Sequence, residues 1–121
     1  METRSRSRAA GHGAGHFIAQ RATAIALALL VPWFVISAAY SMREGGYVAA
    51  YDFLTDPVNA VGVILLLAAG LYHMMLGMQE VILDYIHKSS TKMALLLLNT
   101  FVPLALGIGA VYALLAVNFG V

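Results

Sequence analysis

The sequence predicts an all-α membrane protein with three transmembrane helices, and two observations carry that prediction. The chain of 121 residues is 61% hydrophobic and only 11% charged, with a mean hydropathy of +0.82. A soluble domain this short could not cover so much apolar surface, which points to lipid as the solvent. The apolar residues also fall into three uncharged stretches, residues 22–42, 57–79 and 93–121. Each is at least as long as the roughly 20 residues that a helix needs to cross about 30 Å of hydrocarbon. Backbone polar groups cannot stay unpaired in lipid, so three helices are the economical arrangement.

The elements follow in order. Residues 1–20, "METRSRSRAAGHGAGHFIAQ", form a basic stretch expected to be a mobile tail. Residues 21–121 are expected to form one three-helix anchor domain, with helices at about 21–42, 57–86 and 90–118. A signal peptide is the rival reading of the first stretch, because arginines precede it and Ser37, Ala38 and Ala39 are small. Its apolar core is longer than the usual h-region of about 7–15 residues, and two more spans follow. Gly45 and Gly46 break the chain after the first helix, and Asp56 followed by Pro57 supplies an N-cap with proline at the first helical position. Ser89, Ser90 and Thr91 offer caps for the third helix. Pro32 and Pro103 lie within spans, where kinks are expected. Tyr40, Tyr47 and Tyr51 suit an interfacial belt.

Charge sets the expected topology. Arg4, Arg6, Arg8 and Arg21 precede the first helix, and Lys88 and Lys92 lie between the second and third. The first connection holds Arg43 beside Glu44, Asp52 and Asp56. By the positive-inside rule the N-terminus and the 84–92 loop face the cytoplasm, or the matrix in a mitochondrion, and the C-terminus lies outside. The basic tail can hold orientation or touch anionic lipid. The chain has no cysteine, which excludes iron–sulfur ligation, thiolate chemistry and covalent haem attachment through CxxCH.

Only one histidine, His73, lies within a span. It falls about 5 Å from the centre of the second helix at about 1.5 Å per residue. An ionisable group at that depth is a functional candidate, because leaving it unpartnered in lipid is costly. At about 100° per residue, Gly77, Glu80 and Asp84 share its face to within roughly 40°, while Tyr85 points about 120° away at the helix end. Gly70 and Gly77 bracket the histidine and would let a flat macrocycle or another backbone approach. On spacing alone three readings of His73 stay open. It could ligate haem iron, join a proton relay with Glu80 and Asp84, or make an interhelical hydrogen bond. In the third helix Ala105, Gly109 and Ala113 form a small-residue stripe suited to close helix contact.

The segment "YHMMLGMQEVILDYIHK", with "QRATAIALALLVPWF" upstream, resembles the succinate dehydrogenase cytochrome b556 small membrane anchors, the D-type subunits of respiratory complex II. The resemblance covers the chain from Gly15 to the C-terminus, including the three-helix layout. It is strongest where a second-helix histidine is followed by glycine four residues on and by Asp-Tyr eleven and twelve residues on. It implies that His73 is an axial ligand of a b-type haem, and that Tyr85 hydrogen-bonds a ubiquinone carbonyl with Asp84 beside it in proton delivery. It also implies that Arg21 lies near the haem propionates, with His16 in the same vicinity. Glu80 occupies a position expected to be neutral in that family.

Six-coordinate iron needs a second strong ligand. Met74, Met75 and Met78 sit on the same helix as His73 and cannot reach the opposite haem face, so they read as packing. The second ligand is therefore expected from a larger cytochrome b anchor subunit. Iron–sulfur and flavoprotein subunits are expected to complete a succinate dehydrogenase of the tricarboxylic acid cycle and electron transport chain. The chain alone is expected to perform no succinate chemistry, and no nucleic-acid partner is expected. A bacterial cytoplasmic (inner) membrane is the expected location, ahead of the mitochondrial inner membrane. The alternatives are a fumarate reductase anchor, a proton-conducting or transporter subunit using His73, Glu80 and Asp84, and an anchor without haem.

Overall fold

The computed structural model describes residues 2–121, with side chains described from Gly13 onward. Four α-helices follow one another: α1 (Glu2–Ser41), α2 (Gly46–Thr55), α3 (Pro57–Tyr85) and α4 (Ser89–Phe119). A single 3₁₀ turn, Met42–Glu44, joins α1 to α2. Three segments are long and apolar enough to span a bilayer: Gly13–Glu44, Pro57–Tyr85 and Ser89–Phe119.

These spans match the expected second and third helices to within one residue at each end. The first helix differs at its start. It runs from Glu2 instead of beginning near Arg21, so the stretch expected as a tail is helical. Alanine and arginine have high helix propensity, and extending an existing helix avoids the cost of nucleating a new one. The side chains of Arg4, Arg6 and Arg8 lie outside the described residues.

The local signals explain most of the ends. Gly45 and Gly46 take positive φ angles of 74° and 85°, which side-chain-bearing residues rarely adopt, and so separate the 3₁₀ turn from α2. At the start of α3 the Asp56 carboxylate accepts the Asn59 N–H at 3.0 Å, with Pro57 in the first helical position. The expected serine and threonine caps on α4 are not used. Lys88 is the cap residue and contributes no side-chain bond, while Ser89, Ser90 and Thr91 are already inside the first turn. Both Pro32 and Pro103 lie inside continuous helices.

The short helix α2 stands where sequence reading expected only a connection with interfacial tyrosines. It is amphipathic. Phe53 is buried, and its ring meets Phe34 of α1 edge-on at 6.0 Å between centroids. Tyr47 and Val48 face outward. Asn118 near the end of α4 donates from Nδ2 to the carbonyls of Leu54 at 3.0 Å and Leu114 at 2.8 Å, tying α2 to α4.

Helix α3 is central: α1 and α4 each pack along it and, among the described residues, do not pack on each other. The α1–α3 pair is antiparallel, with His16 opposite Glu80, Thr23 opposite His73, Leu27 opposite Gly70 and Trp33 opposite Gly62. On the other side Asn99 of α4 donates to the Met75 carbonyl at 2.9 Å, and Leu71 meets Gly107. The buried apolar core is small, comprising Phe53, Val63, Leu76, Ile82 and Leu114, and most large apolar side chains face outward. That surface suits lipid and further membrane helices, not water.

Candidate haem-ligand and quinone site

The stripe His73–Gly77–Glu80 faces α1, and α1 answers each position with a matching side chain. Thr23 Oγ1 lies 2.9 Å from His73 Nδ1. Gln20 lies over Gly77, where an added Cβ would stand 3.5 Å from the Gln20 amide nitrogen. His16 Nε2 stands 3.2 Å from Glu80 Oε1, within ion-pair range but off the angle for a hydrogen bond. Leu27 approaches Gly70 in the same way, with an added Cβ 3.7 Å from its Cδ2. The two glycines flanking His73 thus admit the neighbouring helix, one of the two roles their spacing allowed.

The imidazole is half-buried in this chain. Its Nδ1 is engaged by Thr23, and among the described residues no hydrogen bond engages Nε2. A neutral imidazole carries one proton, so a proton on Nδ1 leaves a lone pair on Nε2. No group of three or more histidine, cysteine or acidic side chains is gathered for a metal ion among the described residues. One imidazole with an unengaged ring nitrogen fits a single ligand position of a b-type haem.

Around His16 a pocket of about 440 Å³ opens between α1 and α3, lined by Gly13, His16, Phe17, Gln20, Arg21 and Glu80. Arg21 is exposed and stacks on Phe17, with its guanidinium carbon 5.2 Å from the ring centroid. Among the described residues it has no carboxylate partner, whereas His16 has Glu80. The Gln20 side-chain oxygen is buried without a hydrogen-bond partner. This pocket brings together the two residues expected near the propionates. It adds Gln20, which sequence reading missed, and the acid at position 80.

Asp84 and Tyr85 are the last two residues of α3, and both are exposed. The Tyr85 side chain is 75% exposed and, among the described residues, makes no hydrogen bond. Twelve residues separate it from His73, about 18 Å along the helix axis. Within this chain the Asp84–Tyr85 pair expected at a quinone and the histidine are therefore separate features on one rod. Glu80 and His73 are about 10 Å apart along the axis at about 1.5 Å per residue, and no hydrogen bond joins them among the described residues. A continuous proton relay through the stripe lacks that link.

Sequence reading also missed Thr23, Asn99 and Asn118. Each is a polar residue inside an apolar span, a signal that could have marked all three as interhelical hydrogen-bonding groups.

Comparison with known proteins adds a separate line. Residues 2–108 match the family described as succinate dehydrogenase/fumarate reductase transmembrane subunits. Similar curated proteins include the "Succinate dehydrogenase hydrophobic membrane anchor subunit" of Rickettsia felis, 34% identical over 79 residues, covering 65% of each chain. The protein of the same name from Rickettsia conorii is 35% identical over 80 residues, covering 66% of this chain and 64% of the relative. The chain thus spans just under two thirds of the length of these relatives. No solved structure matches the chain.

Proposed function

The chain belongs to the succinate dehydrogenase/fumarate reductase transmembrane subunit family, and we propose that it is the small hydrophobic anchor of a succinate:ubiquinone oxidoreductase. In this reading it works with a larger cytochrome b anchor, an iron–sulfur subunit and a flavoprotein, in a bacterial cytoplasmic membrane. The observation that carries the proposal is the state of His73. Its Nδ1 is occupied by Thr23 and, among the described residues, nothing engages its Nε2, on the central helix of a membrane domain.

Charge supports the orientation. Arg21, Lys88 and Lys92 gather at one end of the bundle, while Glu44, Asp52 and Asp56 outnumber Arg43 at the other. The basic end faces the cytoplasm. The soluble subunits dock there, beside Asp84 and Tyr85.

A b-type haem bound between His73 and a partner histidine would supply a one-electron store within the bilayer. With its proton on Nδ1, His73 would offer the lone pair of Nε2 to the iron. Arg21, without a carboxylate partner among the described residues, offers its guanidinium to an anionic carboxylate at the membrane surface. Tyr85 donates its phenolic hydrogen to a quinone carbonyl, where negative charge grows on reduction. Asp84, exposed beside it, passes protons from water to that oxygen. The open face of α4, where Ala105, Gly109 and Ala113 are all exposed and nothing lies within 4 Å of a Cβ added at Gly109, suits the larger anchor.

Purification through a tag on this chain tests the proposal. Co-purifying flavin together with a reduced-minus-oxidised b-type spectrum is expected. The absence of both would overturn it and favour a transporter subunit.

A further inference from the structure

Resting on the reading of His73 as an axial ligand, we infer that Thr23 is its positioning residue: the hydroxyl accepts the Nδ1–H and thereby fixes the tautomer and ring orientation that present a bare Nε2 to iron.

The hydrogen-bond inventory of Thr23 carries the inference. Its Oγ1 lies 2.8 Å from the Ala19 carbonyl, 3.1 Å from the Gln20 carbonyl and 2.9 Å from His73 Nδ1. A hydroxyl has one hydrogen and two lone pairs. In a helix, threonine characteristically gives that hydrogen to the carbonyl four residues back, and the 2.8 Å contact to Ala19 is the shortest of the three. With its hydrogen committed to the backbone, Oγ1 meets Nδ1 as an acceptor, and the proton of the neutral imidazole must then reside on Nδ1. The opposite tautomer would place hydrogen on Nε2 and set two lone pairs against each other across 2.9 Å.

Among the described residues, the rest of the α1 face leaves Thr23 without a competitor. The side chains that α1 presents to α3 on either side are Leu27, which is apolar, and Gln20, which lies over Gly77. The acid nearest along the His73 stripe, Glu80, is engaged by His16. Metal-bound histidines commonly give their second N–H to a carboxylate or a carbonyl, which orients the ring and raises its basicity. A neutral hydroxyl does the same with less electron donation. Losing it leaves the N–H unpaired, weakens the ligand's donation to ferric iron and raises the midpoint potential.

The test uses the intact complex carrying Thr23→Val, which keeps the shape and removes the acceptor, and Thr23→Ser, which keeps the hydroxyl. Redox titration of the b-type band and the low-spin ferric EPR signal are the readouts. Thr23→Val should retain haem, titrate at a higher potential than the parent and move the EPR line positions, whereas Thr23→Ser should match the parent in both. A Thr23→Val complex with parental potential and line positions would overturn the assignment. Should Thr23→Val lose haem outright, retention of haem by Thr23→Ser upholds the role of the hydroxyl, and loss in both variants overturns it. A parent complex with no b-type spectrum would instead sink the ligand reading itself, which separates the two failures.

Discussion

The indole of Trp33 on α1 occupies the place that a Cβ on Gly62 of α3 would take. The contact lies beside the buried cluster of Phe53, Val63 and Leu114, against which Trp33 and Phe34 pack. It lies toward the end of the bundle opposite the pocket of His16, Arg21 and Glu80. Gly62→Ala should therefore force the ring or the helix to move and destabilise the domain by about 1–3 kcal/mol. Thermal unfolding of the purified complex in detergent measures the effect, and an unchanged midpoint would show that the ring has room to shift.

Gly109 faces the other way, with open space where its side chain would be. If the larger anchor packs there, Gly109→Leu should leave the helix content of this chain intact and reduce recovery of its partner in a tag purification by several-fold. Full recovery of the partner would place the interface on a different face.

Tyr85 is exposed at the end of α3, and the proposed function gives its hydroxyl to a quinone. Removing the hydroxyl should cost one hydrogen bond to the quinone, about 1.4 kcal/mol or roughly tenfold in quinone reductase activity. Succinate oxidation by an artificial dye should stay near the parental rate in Tyr85→Phe. An equal loss of both activities would contradict a role confined to the quinone end.

Glu80 separates the anchor from the relay. Its side chain is 58% exposed, so its pairing with His16 is worth no more than about 1 kcal/mol. Glu80→Gln should keep the b-type spectrum and retain quinone reductase activity within about twofold, since the His73 ring meets Thr23 and, among the described residues, makes no hydrogen bond to the acid. A loss of an order of magnitude would mean that the stripe carries protons after all.

The three spans could be read from hydropathy because lipid imposes one simple rule on long uncharged segments, and the Asp56–Pro57 start of α3 followed from a local cap. The shared face of His73, Gly77 and Glu80 followed from helical period alone, and α1 does meet it. Other features depend on tertiary packing. Ten residues of α2 hold their helix because Phe53 is buried against α1 and Asn118 grips the Leu54 carbonyl, neither of which is a local signal. The extension of α1 before Arg21 was hidden because that stretch has charge and glycine but no apolar period. The importance of Thr23 came from a residue fifty positions away.

The central claim is that His73 ligates haem iron, and one measurement addresses it most directly. The complex carrying His73→Ala should be purified with its partner subunits present and its reduced-minus-oxidised spectrum recorded beside that of the parent. The account predicts a b-type band that is lost or clearly altered. An unchanged band in a fully assembled His73→Ala complex would contradict it.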